Sequence, residues 1–115
     1  STYKYNDLYF DSSWELAFYI YHVDQNISVE REPEKLEYYF NNSKHYYFPD
    51  FKVDGKLFEV KSPYLYSKLL ILDTLENAKL NCMIKNNVSL ITDCSKYLAY
   101  IKAKYGKNFL KSFKI

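Results

Sequence analysis

The 115-residue chain contains few of the residue types on which the commonest functional sites depend. It has two glycines, which excludes a glycine-rich loop that binds phosphate. It has two histidines, which leaves little material for a zinc site or a Ser-His-Asp triad. Any chemistry that the chain performs therefore depends on its carboxylates and lysines.

Cysteines and long apolar runs are also scarce. Cys82 and Cys94 have neither the spacing of metal ligands nor that of a disulfide framework, so they are predicted to be free thiols. No uncharged apolar run approaches the ~18 residues of a membrane helix. The N-terminal residues lack the apolar segment of a signal peptide. The sequence therefore predicts an intracellular chain without a membrane segment.

The residues that are present describe a globular chain. Apolar residues make up 48% and charged residues 26% of the sequence, and the length predicts a single domain over residues 1–115. Aromatic residues reach 20%, with 14 tyrosines. We expect most of these tyrosines to pack with a solvated hydroxyl rather than to stack on bases.

The charges divide unevenly along the chain. Residues 1–60 carry eleven acids and six bases, whereas residues 61–115 carry three acids and ten bases. Such asymmetry indicates a surface that faces a polyanion, although a merely dipolar surface stays open as an alternative. Fifteen of the sixteen bases are lysine, which favours phosphate attraction over the bidentate base recognition that arginine provides.

Hydrophobic periodicity and turn residues predict a mixed α/β chain in the order α-β-β-β-β-α-β-α. Ser12 and Glu15 form a capping box at the start of the first helix, and Gly106 is placed to end the last one. We expect a crossover helix to lead to the last strand. The predicted elements are a helix over 12–24, strands over 27–30, 36–40, 45–53 and 56–62, a helix from 66 to 81 or 85, a strand over 88–92 and a last helix that Asp93 or Ser95 caps and that runs to about 105.

One predicted hairpin carries two carboxylates. Asp54-Gly55 lies between alternating runs and predicts a type I′ turn, in which both residues take a positive φ. This turn pairs Val53 with Lys56, and the same register places Asp50 opposite Glu59. Directly opposed residues point to the same face of the sheet. One face of the hairpin is therefore apolar core, and the other presents Asp50, Glu59 and Lys61.

Two opposed carboxylates are unfavourable unless a positive charge compensates them. A divalent cation does so, and Mg²⁺ suits a site with few carboxylates because it keeps several waters. Such an ion activates water and neutralises a phosphoryl group, while Lys61 is placed to orient the water or to stabilise the developing charge. The alternative is that Lys61 simply bridges Asp50 and Glu59 as a surface ion cluster.

The same residues resemble a nuclease family. Pro49-Asp50, followed after eight residues by Glu59-Val60-Lys61, is similar to the signature of the PD-(D/E)XK nucleases. Tyr46-Tyr47-Phe48 and Phe51 resemble the Y-x-P-D-F form found in phage and mobile-element members, including homing endonuclease and Holliday-junction resolvase branches. The resemblance covers residues 10–105 and implies a restriction-endonuclease-like core, α-β-β-β-α-β, with a mixed sheet of four to five strands flanked by helices.

The resemblance also implies an activity and roles for particular residues. Asp50, Glu59 and the Val60 carbonyl would hold Mg²⁺ or Mn²⁺, and Lys61 would be the catalytic lysine. Glu15 matches a first-helix carboxylate that often joins the metal site, although its position in the capping box explains it without chemistry. The implied reaction is hydrolysis of DNA phosphodiesters, usually leaving a 5′-phosphate. The implied partner is double-stranded or branched DNA, with a homodimer as a further option.

Lysines of the second half are candidate phosphate contacts. Several such contacts would make binding strongly dependent on salt, whereas ordinary solvated helix faces explain the same residues without nucleic acid. The predicted nucleic-acid-binding residues are Lys79, Lys85, Lys96, Lys102, Lys104 and Lys107.

Three other functions stay open beside a metal-dependent DNA endonuclease. The first is a nucleic-acid-binding domain that keeps the fold without catalysis. The second is a nuclease specific for RNA or for a nucleic-acid structure. The third is a structural domain that binds a protein partner through its aromatic surface.

Overall fold

The computed structural model of the chain describes residues 2–115 and has an α/β architecture. Over these residues it contains four α-helices, one mixed four-stranded sheet and two two-stranded sheets, which confirms the predicted fold class and a mixed sheet of four strands. The elements are β1 Tyr3–Tyr5, β2 Leu8–Phe10, α1 Ser13–Val23, β3 Val29–Arg31, β4 Leu36–Phe40, β5 Ser43–Tyr47, β6 Phe51–Val53, β7 Lys56–Val60, α2 Pro63–Leu69, α3 Leu75–Lys85, β8 Ser89–Ile91, α4 Ser95–Tyr105 and a 3₁₀ turn, η1, Leu110–Phe113.

The elements form two units. The first unit comprises residues 2–29 and Asp93–Ile115, and the second comprises Glu30–Thr92. The single domain predicted from the length stays a prediction. Over residues 2–115, none of the helices combines the length and the apolar character needed to cross a membrane.

In the first unit, α1 packs against α4, and the β1–β2 hairpin packs on α1. The predicted first helix is confirmed, and the Ser12 hydroxyl accepts a hydrogen bond from the Glu15 amide, 3.2 Å away, as a capping box requires. Phe18 and Ile20 are fully buried, so the apolar stripe of α1 faces the core of this unit. The predicted end of the last helix at Gly106 is also confirmed, since this residue has a φ of 95°.

The β1–β2 hairpin is absent from the predicted elements. Its turn is formed by Asn6 and Asp7, whose φ values of 51° and 61° are those of a type I′ turn. The three-residue strands on either side are too short to show a clear alternation of apolar and polar residues. The turn chemistry was therefore the only local signal for this element.

In the second unit, the mixed sheet has the strand order β3-β6-β7-β8. Strands β6 and β7 are antiparallel and are joined at Asp54-Gly55, with φ values of 50° and 78°. Val53 pairs with Lys56 and Phe51 with Phe58, so both the predicted turn and the predicted register are confirmed. Strand β8 runs parallel to β7, which confirms that a helical crossover leads to the last strand.

The predicted helix from 66 to 81 or 85 is wrong, because two helices, α2 and α3, form this crossover. The chain leaves the helical path after Leu69, and Asp73 has a φ of 60°. The Thr74 side chain then accepts a hydrogen bond from the Asn77 amide, 3.1 Å away, and begins a new helix. Asp73 therefore interrupts the helical path and Thr74 begins the next helix, within an apolar pattern that looks continuous in the sequence.

The predicted strand over 45–53 is also wrong, because its residues belong to two strands in different sheets. Strand β5 ends at Tyr47 and pairs only with β4, whereas β6 begins at Phe51 and joins the mixed sheet. Pro49 lies between them and has no amide hydrogen for a ladder hydrogen bond. The interruption places Asp50 immediately before β6, beside the end of β7.

Candidate functional site

Asp50 and Glu59 are interlocked across the β6–β7 hairpin. The Asp50 amide donates a hydrogen bond to Oε1 of Glu59 at 3.2 Å, and the Val60 amide donates one to Oδ2 of Asp50 at 2.8 Å. Each carboxylate is thus held by the backbone of the opposite strand. The structure brings Asp50, Glu59 and Lys61 together, as the register predicted, since Lys61 Nζ lies 3.4 Å from Oε2 of Glu59.

The carboxylate face of the hairpin is not an open surface. Glu59 is only 4% exposed, and the Tyr47 hydroxyl donates a hydrogen bond of 2.6 Å to its Oε1. The face of the hairpin that carries Asp50, Glu59 and Lys61 is therefore largely buried at Glu59. Lys61 and Asp50 remain partly accessible, with 20% and 15% of their side chains exposed.

Burial controls the protonation of Glu59. Loss of solvation, and secondarily the negative charge of Asp50, raises the pKa of Glu59 to about 7, against the opposing effects of Tyr47 and Lys61. Burial and the charge of Glu59 likewise raise the pKa of the Tyr47 hydroxyl, so Tyr47 remains a hydrogen-bond donor at neutral pH. A carboxylate that titrates near neutrality among charged groups is typical of functional sites, although structural ion pairs also produce it.

Arg31 supplies a second cation to this cluster. Its Nη1 donates a hydrogen bond to the Asp50 carbonyl at 3.0 Å and lies 3.8 Å from Oδ1 of Asp50. Its guanidinium also lies 5.2 Å from the centre of the Phe51 ring, within the range of a cation–π contact. The single arginine of the chain is therefore a member of the candidate site, on the neighbouring strand β3.

The oxygen donors at this site suit a hard divalent cation. Over residues 2–115, no group of three or more His, Cys, Asp or Glu side chains is placed to hold a metal ion. Asp50 and Glu59 nevertheless supply carboxylate oxygens, and the Val60 carbonyl points to the same side of β7 as the Val60 amide that meets Asp50. Two carboxylates and a carbonyl fit Mg²⁺, which completes its coordination with water.

The contacts of Glu59 do not saturate its carboxylate. A carboxylate offers about four lone-pair positions, and Tyr47, the Asp50 amide and Lys61 account for three contacts. Its oxygen Oε2, which faces Lys61, therefore retains capacity for a further partner.

Glu15 lies in the first unit and serves the cap of α1. Its Oε2 accepts hydrogen bonds from the Asp11 amide at 3.1 Å and from the Ser12 hydroxyl at 3.3 Å. The side chain is only 5% exposed. The capping role is confirmed, and a role for Glu15 in a metal site stays a prediction.

The six predicted phosphate-contacting lysines are distributed over both units. Lys79 and Lys85 lie on α3 of the second unit, whereas Lys96, Lys102 and Lys104 lie on α4 of the first and Lys107 follows that helix. Lys104 is engaged locally: its Nζ lies 3.3 Å from Oδ2 of Asp24, and Tyr100 and Asp24 raise its pKa. Their binding to nucleic acid stays a prediction.

Sequence reasoning gave no role in the site to Tyr47 or Arg31. Tyr47 is the tyrosine of the Y-x-P-D-F pattern that precedes Asp50, so that motif was a usable signal. Arg31 reaches Asp50 from a strand that is distant along the chain. No local pattern indicates that pairing.

Removal of the Tyr47 hydroxyl is expected to destabilise the fold. We expect Tyr47→Phe to lower the free energy of unfolding by about 1.5–3 kcal/mol at pH 8, because a buried carboxylate loses a charge-assisted hydrogen bond. Urea denaturation measures this change. The matched control is Tyr46→Phe, which alters the neighbouring exposed ring and is expected to stay within about 0.5 kcal/mol. Equal effects of the two substitutions would show that the bond to Glu59 contributes nothing.

Comparison of the chain with protein-family models, with curated proteins and with solved structures finds no significant match.

Proposed function

We propose that the chain is a metal-dependent DNA endonuclease with a restriction-endonuclease-like fold of the PD-(D/E)XK type. The observation that carries the proposal is the cluster of Asp50, Glu59 and Lys61 at one end of the hairpin, where backbone hydrogen bonds hold both carboxylates and the lysine is partly accessible. Two oxygen ligands for a metal ion beside a cation are groups that can assist hydrolysis of a phosphodiester. The resemblance of the motif to that family supports the same interpretation.

In this proposal Asp50, Glu59 and the Val60 carbonyl hold Mg²⁺ or Mn²⁺. A divalent ion bound there supplies charge that neutralises the phosphoryl group and makes water more acidic. The protein contributes preorganisation, because the hydrogen bonds between Asp50, Glu59 and Val60 fix the carboxylates before any ligand arrives.

Lys61 acts on the reacting groups themselves. Its ammonium lies beside Glu59 and is partly accessible, so an approaching phosphate meets a positive charge at the edge of the cluster. The ammonium donates hydrogen bonds to the attacking water or to the phosphoryl oxygens, where negative charge develops in the transition state. Arg31 acts indirectly, by holding the backbone of Asp50.

Incubation of the purified protein with nucleic acids tests the proposal. The substrates are supercoiled plasmid, a four-way DNA junction and single-stranded RNA, each with Mg²⁺, Mn²⁺ or EDTA. We expect cleavage of DNA with either metal and none with EDTA, and no cleavage by Asp50→Asn. The control Asp54→Asn changes a carboxylate in the same hairpin and keeps a turn residue that tolerates the positive φ. Absence of DNA cleavage by the wild type, or cleavage by Asp50→Asn, would contradict the proposal, and cleavage of RNA alone would reassign the substrate.

A second candidate is a nucleic-acid-binding domain without catalysis. The observation that favours it is that Arg31 and Lys61 already provide positive charge to Asp50 and Glu59, so the cluster is compensated without a metal. This candidate predicts binding to DNA that weakens steeply with salt, needs no divalent ion and survives Glu59→Gln. Filter binding with and without EDTA distinguishes it from the nuclease.

A further inference from the structure

The connection between α2 and α3 presents an unusual apolar surface. Six large apolar side chains lie exposed on α2, on the connection and at the start of α3, and Leu72 reaches 76% exposure. We refer to them as the crossover patch, which consists of Tyr64, Leu65, Leu70, Ile71, Leu72 and Leu75. Single exposed apolar residues are ordinary on a protein surface, but six of them within the twelve residues 64–75 are typical of an interaction site.

The crossover patch is held in a fixed conformation. The Ile71 amide donates a hydrogen bond to the Lys68 carbonyl, the Thr74 hydroxyl donates one to the Ile71 carbonyl, and the Asn77 side chain donates one to the Leu69 carbonyl, at 3.3, 2.7 and 2.9 Å. Leu69, the last residue of α2, is buried in the core of the second unit and packs with Leu80 and Met83. A surface that is ordered before it binds loses little entropy on association.

We infer that the crossover patch is the surface through which two copies of this chain associate. The six side chains together expose on the order of 600 Å², which exceeds the roughly 500 Å² per partner that a small specific interface needs. An apolar patch is complementary to its own copy, as a two-fold symmetric interface requires.

The charges around the crossover patch favour a second copy over nucleic acid. Lys68 lies on α2, and its Nζ is 5.0 Å from the centre of the Tyr64 ring, whereas Asp73 and Glu76 lie at the α3 end. Within residues 63–76 two acids and one base make the net charge of the segment negative, whereas Lys61 and Lys79 lie beyond its two ends. A two-fold axis instead brings the Lys68 end of one copy to the acidic end of the other, where opposite charges meet.

The crossover patch follows the candidate site along the chain, so association through it would produce a particle with two candidate sites. Helix α2 begins at Pro63, two residues after Lys61, so the patch follows the candidate site directly along the chain. A dimer formed through the patch carries two candidate sites in one particle. If the chain is a nuclease, the two sites of the dimer serve the two strands of a duplex, and this step rests on the proposed function. The association itself does not depend on that function.

Sedimentation equilibrium tests the association without DNA and without divalent ions. We expect wild-type protein at about 100 μM to be dimeric and Leu72→Glu to weaken association at least about tenfold, because the substitution buries a charge in the interface. The matched control is Ile84→Glu, which alters a side chain that is 63% exposed on α3 outside the patch and is expected to leave association unchanged.

A cysteine substitution provides a second measurement that is independent of affinity. Cys82 and Cys94 are buried, so Leu72→Cys introduces an accessible thiol that is expected to form a covalent dimer on mild oxidation, whereas Ile84→Cys stays largely monomeric. A wild type that is monomeric over this range, or equal effects at positions 72 and 84, would overturn the inference. A Leu72→Glu protein that stays dimeric but loses DNA binding would also overturn it and assign the patch to nucleic acid. A wild-type dimer that does not cleave DNA would contradict the proposed nuclease function alone. A wild-type monomer that cleaves DNA would contradict the proposed association alone.

Discussion

Substitution of Lys61 by methionine is expected to lower the rate of DNA cleavage by at least about a hundredfold. Lys61 Nζ lies 3.4 Å from Oε2 of Glu59, and methionine keeps most of the side-chain volume while it removes the charge that opposes the developing phosphoryl charge. The rate is measured on plasmid with saturating Mg²⁺ at pH 8.5. At this pH Glu59 is ionised in the wild type, whose Glu59 pKa is about 7.

The control for this prediction is Lys56→Met, at an exposed position of the same strand β7. We expect Lys56→Met to cleave DNA at a rate close to that of the wild type. Metal affinity of the Lys61 variant is measured in parallel, because Lys61 also lowers the pKa of Glu59. A cleavage rate that is equally reduced in both lysine variants would attribute the effect to general loss of positive charge and would contradict a catalytic role for Lys61.

The stability of the metal-free protein is expected to fall as the pH rises from about 4.5 to about 7. The folded state raises the pKa of Glu59 from 4.5 to about 7, so it binds this proton more tightly than the unfolded chain does. Protonation therefore stabilises the fold, and the contribution is lost as the pH rises through the folded-state pKa. The full change is about 3 kcal/mol, and it is complete above about pH 8.

Urea denaturation in EDTA at a series of pH values measures this effect. We expect Glu59→Gln to remove most of the decrease between pH 5 and pH 8, since the amide carries no charge. Glu37→Gln is the matched control, because that carboxylate is half exposed and pairs with Lys44 at 3.6 Å; it is expected to keep the decrease. Parallel pH profiles for the wild type and Glu59→Gln would show that Glu59 ionises normally in the fold.

The part of the site that the sequence predicts well is the part that depends on local chemistry. Asp54-Gly55 specifies a type I′ turn, and a two-residue turn determines the register of its strands. The proximity of Asp50 and Glu59 follows from that register alone. The capping box of Ser12 and Glu15 is predictable for the same reason, because its groups lie three residues apart.

The parts that the sequence did not predict depend on contacts between distant segments. Arg31 reaches Asp50 only because β3 lies beside β6 in the sheet, and no local pattern encodes that strand order. The burial of Glu59 depends likewise on Tyr47, which belongs to a different sheet. Tertiary packing thus buries Glu59 in a hydrogen-bonded network, and this burial raises its pKa.

Apolar periodicity also misleads where a loop exposes its apolar residues. Leu70 and Leu72 continue the pattern of a single long helix, yet they are 51% and 76% exposed. Asp73 is a turn residue and Thr74 a helix-capping residue, but the apolar periodicity of the leucines is the stronger signal and predicts one continuous helix. Leu70 and Leu72 also belong to the crossover patch, so the error in the helix boundary coincides with the proposed interaction surface.

Titration calorimetry with Mn²⁺ tests most directly the central claim, that Asp50 and Glu59 form a divalent-metal site. At pH 8.5, we expect one ion to bind per chain, and we expect Asp50→Asn and Glu59→Gln each to weaken binding at least about tenfold. Asp54→Asn, in the same hairpin, is expected to bind as the wild type does. Absence of binding by the wild type, or binding that both substitutions leave unchanged, would contradict the claim.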